Sequence, residues 1–119
     1  MSTQTTATHI AAFEIGWRFL LAIPALFALW HIILMLTIVG EAALFMGWAA
    51  FNLLNTIVVY IPFRRGEKWA WYSTWIQVIA FTAPILITRE SYVVMYLITA
   101  GVMALSLLLT RPAFFQKET

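Results

Sequence analysis

The chain has 119 residues, of which 63% are hydrophobic and only 10% charged, with a net charge of +2. A soluble domain this small leaves much of its surface exposed and has no room to bury so many apolar side chains, so the sequence calls for a lipid bilayer. The lack of Cys excludes disulfides, iron–sulfur clusters, thiolate zinc sites and c-type haem attachment, and the few, localised cations speak for membrane orientation rather than nucleic-acid binding.

Residues 1–12 are polar, Thr-rich and uncharged apart from His9. They lack the basic start of a secretory signal, and the apolar run that follows exceeds a signal core of ~7–15 residues, so the first helix is expected to be a retained span. Residues 8–18 read as a helical lead-in at the membrane surface, with Glu14 and Arg18 four apart in the favourable order for an ion pair. The first span is predicted at residues 19–39, interrupted only by Pro24 and His31. Its length corresponds to ~30 Å of helix, the thickness of a bilayer core. Gly40-Glu41 marks a break. The second span, residues 42–61, is expected to stop at Pro62, which cannot continue the hydrogen-bond ladder. Three cations then fall within the turn at residues 62–68, which must face water. The third span is predicted at residues 69–87 with a kink at Pro84. The polar turn Thr88-Arg89-Glu90-Ser91 leads into the fourth, residues 92–110, which Arg111-Pro112 is expected to close.

Short connections favour antiparallel neighbours. The expected fold is an all-α membrane protein, one integral domain over residues 1–119, with four transmembrane helices in an up-down-up-down antiparallel bundle. Arg18, Arg64, Arg65, Lys68, Arg111 and Lys117 then share one side, and Arg89 stands alone on the other. Basic residues gather on the cytoplasmic face, which predicts a cell (inner) membrane protein with cytoplasmic N- and C-termini. Trp17, Tyr60, Phe63, Trp69, Trp71, Tyr72, Phe114 and Phe115 form an expected inner aromatic belt, with Phe45 and Tyr92 beginning an outer one. The charged turn reads first as a topology anchor. Its Arg64, Arg65, Lys68, Trp69 and Trp71 are also candidate contacts for a partner or for anionic headgroups, at ~1 kcal/mol per cation.

Polar side chains within a bilayer need partners, so their depths are informative. At ~1.5 Å per residue, His31 lies roughly 12 Å from the outer end of its span, level with Thr82 and Thr99. Asn52 falls near the midplane, with Asn55 and Gln77 slightly further in. Trp48, Asn52, Asn55 and Val59 share one helical face, as do Ser73, Gln77, Ala80 and Pro84, and both faces are expected to point inward. The candidate interior site is therefore His31, Asn52, Asn55, Gln77, Thr82 and Thr99. Read structurally, it is polar glue between helices at ~0.6 kcal/mol per bond. Read functionally, it is a small cavity focused on His31 that offers hydrogen bonds to a quinone carbonyl or a lipid headgroup. His31 is also a weak metal-ligand candidate, with one axial bond to offer a haem or chlorophyll-type pigment and no second His in any span. Ala43 with Gly47, and Ala100 and Gly101 with Ala104, supply small-residue faces for packing within or between chains.

The run Arg65-Gly66-Glu67-Lys68-Trp69-Ala70-Trp71-Tyr72 resembles the Arg-x-Gly-Glu-(Arg/Lys)-Trp-Ala-Trp turn of uncharacterised small bacterial four-span membrane proteins, loosely DoxX-like. The resemblance covers this turn and the span layout, and it implies no particular chemistry. Small multidrug resistance transporters are also four-span chains of this length, but they carry a Glu within the first helix. Here Glu14 precedes the span and no acidic or basic residue sits in any span core, which argues against proton or cation coupling. There is no Asp, and each Glu lies in a turn or flank, so no catalytic constellation assembles.

The expected function is non-enzymatic, a small accessory or scaffold subunit that packs against other membrane proteins or self-associates. The alternative is a small-molecule transporter, or a binder of quinone, pigment or haem centred on His31. The expected partners are the lipid bilayer and other membrane subunits, without nucleic acid and without an obligatory cofactor.

Overall fold

The computed structural model describes the backbone of residues 3–116 and the side chains of residues 8–116; Lys117, one of the cations counted at the inner end, lies outside them. Four stretches are helical, long and apolar enough to cross a membrane: Thr8–Thr37, Val39–Phe63, Lys68–Ile87 and Tyr92–Phe115. They are built from α1 (Thr3–Thr37), α2 (Ala42–Val58), α3 (Lys68–Thr82), α4 (Pro84–Ile87) and α5 (Tyr92–Phe115). A 3₁₀ turn, Val39–Glu41, precedes α2, and a π turn, Val59–Phe63, follows it.

The first helix is longer than the sequence reading allows. Its 35 residues make ~52 Å of helix, well beyond a bilayer core of ~30 Å. Residues 8–18 are therefore a coaxial extension of the span rather than a separate surface segment. Gly16, the weak helix former in that stretch, is buried where α1 meets α5. A Cβ there would stand 2.7 Å from Thr110 Cγ2 and 2.8 Å from the Ser106 carbonyl oxygen. Only glycine permits this approach. By contrast, Cβ atoms at Gly47 and Gly101 would meet nothing within 4 Å, so the small-residue contact inside the chain runs through Gly16 instead. The Glu14–Arg18 ion pair forms at 3.7 Å with both side chains largely exposed, and such pairs contribute only ~0.3–0.5 kcal/mol.

Pro62 does not end the second span. Without an N–H it leaves the Val58 carbonyl short of its helical partner, and the backbone widens into the π turn and continues to Phe63. Trp17 Nε1 donates to the Val59 carbonyl at 3.1 Å, which ties α1 to that turn. Gly66, at φ +77°, then takes the left-handed conformation that side chains disfavour. Before Pro84 the third span is interrupted for one residue, Ala83, which keeps helical dihedrals and separates α3 from α4. Pro112 does not close the fourth, because α5 passes through it to Phe115. The lost hydrogen bond is offset by aromatic packing: Phe114 meets Phe63 at 4.7 Å and Phe115 meets Trp71 at 5.1 Å between ring centroids.

Helix α1 packs between α2 and α5, and α5 packs between α1 and α3. The seam between α2 and α3 is thin although a short turn joins them. The core is centred on Leu20, Val59, Phe63, Phe81, Met103, Leu107 and Phe114. Large side chains such as Leu36, Leu86 and Ile98 are exposed on the outside, as lipid contact requires.

Candidate functional site

His31 is buried on α1, with only 3% of its surface exposed. Its Nδ1 stands 2.7 Å from the Phe27 carbonyl oxygen, one turn back. A carbonyl only accepts, so Nδ1 carries the hydrogen, and in the neutral ring Nε2 keeps its lone pair. One hydrogen bond thus fixes both the tautomer and the ring orientation. Trp48 stacks against the imidazole at 6.1 Å and 23°, with Phe45 at 6.3 Å and Phe27 at 6.2 Å. Phe45 and Trp48 reach the same ring because residues three apart share a helical face.

Beside His31 is a cavity of about 540 Å³, within the ~300–1,000 Å³ usual for small-molecule sites. Phe45, Trp48 and Tyr96 line it, and the exposed side chains of Trp30, Glu41 and Tyr92 lie around its mouth. Pro84, Ile87 and Thr88, at the end of the third span, also line it. Aromatic rings together with Leu34, Leu44 and Met95 form the walls, the Glu41 carboxylate is among the lining groups, and the His31 imidazole is the buried polar group.

The other residues matched to His31 by depth are elsewhere. Gln77 Nε2 donates to Asn52 Oδ1 at 3.1 Å, and Asn52 Nδ2 donates to the Trp48 carbonyl at 2.9 Å. This pair bridges the thin seam between α2 and α3, with both side chains almost fully buried. Asn55 Nδ2 donates to the Phe51 carbonyl at 2.9 Å on its own helix. Thr99 and Thr82 bond back to Met95 and Val78, each at 2.8 Å, and Thr82 is exposed. The six candidates therefore form no single site. Depth alone put them together, whereas direction around each helix axis keeps them apart.

At the other end of the bundle, the Arg64 guanidinium lies over Trp17 at 5.0 Å and Tyr60 at 5.8 Å, and Lys68 Nζ lies 5.7 Å from the Phe115 ring centre. Trp69 is exposed, and its Nε1 donates to Glu67 Oε2 at 2.6 Å. Trp71 does not belong with these surface contacts. It is buried, and its Nε1 donates to the Leu107 carbonyl at 3.0 Å, holding α3 to α5. Phe63 and Phe114 are likewise core residues rather than members of an aromatic belt.

The cavity walls were the feature missed from sequence. Trp30 and His31 on one helix, Phe45 and Trp48 on the next and Tyr92 and Tyr96 on the last bring aromatic rings to helical spacing, and that coincidence is the available signal. No family model, no curated protein and no solved structure matches the chain.

Proposed function

We propose that the protein binds a small ring-bearing amphiphile in the cavity beside His31. The observation that carries this reading is the Nδ1–Phe27 hydrogen bond, which leaves Nε2 as a fixed acceptor among aromatic walls. An acceptor selects a donor. The favoured ligand is a phenol or hydroquinone whose hydroxyl donates to Nε2, in preference to the quinone carbonyl expected from sequence. The setting is an up-down-up-down bundle in a bacterial inner membrane with both termini cytoplasmic, as the distribution of basic residues supports. Binding leads over the accessory-subunit reading because lipid contact already accounts for the exposed apolar surface, whereas the cavity sets a buried imidazole among aromatic rings.

The test uses the whole chain in lipid nanodiscs, titrated with decyl hydroquinone and, separately, with the oxidised quinone, against empty nanodiscs. Quenching of tryptophan fluorescence should saturate with the hydroquinone, more weakly with the quinone, and be lost in His31→Phe. Equal titrations of wild type and His31→Phe would remove the reading.

A second reading has a specific observation behind it. A histidine whose Nδ1–H is held by a carbonyl presents Nε2 as a metal ligand, so His31 has the orientation of an axial ligand to a tetrapyrrole. Purified material would then show a Soret band that His31→Ala abolishes, and a featureless visible spectrum removes this reading. The accessory role instead predicts a heteromer in native mass spectrometry that survives either His31 substitution.

A further inference from the structure

A second cavity, of about 380 Å³, opens between the beginning of α1, the turn after the π segment and the end of α5. His9, Phe13, Arg64, Arg65 and Ala113 are among the residues lining it. We infer that this cavity holds the phosphate of an anionic phospholipid, an assignment independent of the His31 cavity.

Charge is the first argument. Among the described residues no carboxylate lines the cavity, and the nearby described acids are engaged: Glu14 pairs with Arg18 at 3.7 Å and Glu67 accepts from Trp69 at 2.6 Å. Among the described residues Arg64 and Arg65 form no ion pair. Among the described residues, the two guanidinium groups thus face one hollow without a counter-charge. Arg64 is held over Trp17 and Tyr60, and a guanidinium resting on ring faces keeps N–H groups free to donate to phosphate oxygens. His9 adds a polar atom with no bond to satisfy it, since its Nδ1 is buried and unpartnered among the described residues.

Apolar surface is the second argument, and it chooses between a lipid and a free phosphate. Phe13 packs on Phe63 and on Phe114, each at 6.2 Å, giving the cavity a rigid aromatic floor. Ile10, at 61% exposed, continues that surface outward. A free phosphate would leave these groups against water, whereas a glycerophospholipid covers them with its glycerol and acyl chain. Tyr60 and Trp69 are more than half exposed near the same turn, as suits residues at headgroup level.

The full chain in neutral detergent is loaded with dioleoyl phosphatidylglycerol or dioleoyl phosphatidylcholine, and retained lipid is counted by native mass spectrometry. Wild type should favour phosphatidylglycerol by about tenfold or more, as expected for two cations at an anionic headgroup. The double variant Arg64→Gln/Arg65→Gln should lose that preference. Arg65→Gln alone, which spares the Arg64 ring contacts, should lose part of it, and Arg89→Gln at the other end should keep it. Equal retention of the two lipids by wild type, an unchanged preference in the double variant or an equal loss in Arg89→Gln would overturn the assignment. Millimolar inorganic phosphate is added in a separate arm. If it displaces phosphatidylglycerol, the site takes a soluble anion and the lipid assignment fails; retention of the lipid supports it.

Discussion

Three glycines permit an internally controlled test of how α1 meets α5. Gly16→Ala places a Cβ 2.7 Å from Thr110 Cγ2 and 2.8 Å from the Ser106 carbonyl oxygen. The threonine methyl has some freedom, but the carbonyl belongs to the α5 backbone, so relief requires the helices to separate. Overpacking of this kind costs about 1–3 kcal/mol. Replacing a helical glycine with alanine also stabilises the helix by ~1 kcal/mol, which partly masks the clash. Gly47→Ala and Gly101→Ala receive the same helical gain with nothing within 4 Å to collide with. Subtracting their mean from Gly16→Ala cancels the propensity contribution and leaves the overpacking cost of about 1–3 kcal/mol. The assay is a reversible titration from mild non-ionic detergent into SDS, followed by circular dichroism. Thr110→Ser in the Gly16→Ala background should recover only part of the loss, because the carbonyl contact persists. If Gly16→Ala is as stable as the two control variants, the close approach of α1 and α5 is refuted.

The same titration reads the polar contacts. A double-mutant cycle of Asn52→Leu and Gln77→Leu should give a coupling of ~0.6 kcal/mol, typical of interhelical bonds in membranes, and additive effects would deny the bond across the α2–α3 seam. Trp71→Phe removes the donor to the Leu107 carbonyl and should cost ~1 kcal/mol or more. Trp69→Phe, at an exposed position, should change stability by no more than ~0.5 kcal/mol, and equal effects of the two would contradict the inward placement of Trp71.

Span number and approximate limits were legible because long apolar runs separated by charge carry that information directly. Termini were less so. The cost of a missing N–H marks Pro62 and Pro112 as stops, yet the helical backbone continues past both where Phe63 and Phe114 pack together. A local rule lost to a tertiary contact that no local rule contains. The interior grouping rests on a different quantity. Counting rise along a helix places His31, Thr82 and Thr99 at one level, but it carries no direction: successive residues point ~100° apart around the axis, so side chains at one depth can face lipid or core. Asn52 with Gln77 survived because both lie on faces that pack whatever the detailed register. The cavity is hidden for a related reason: its walls come from segments distant in sequence.

The two ends of the bundle should also differ in local stability. Around the π turn, Val59, Pro62 and Phe63 are all buried, and indoles from Trp17 and Trp71 tie α1 to this turn and α3 to α5. The 3₁₀ turn at Val39–Glu41 has no buried residue, nor has α4, where Leu86 and Ile87 are at least 85% exposed. Segments with few buried contacts open at lower free energy. Both regions lie near span ends, so access to water does not by itself distinguish them. Hydrogen exchange in nanodiscs should therefore be faster at residues 39–41 and 84–91 than at residues 59–66, by about tenfold for each ~1.4 kcal/mol of difference in opening. Glu41 and Thr88 belong to those two loose segments and both line the His31 cavity. A ligand seated there touches both, so saturating hydroquinone should slow exchange at residues 39–41 and 84–91 while leaving residues 59–66 unchanged. Slowing of equal size at all three segments would mean that the ligand acts on the bilayer rather than on the cavity.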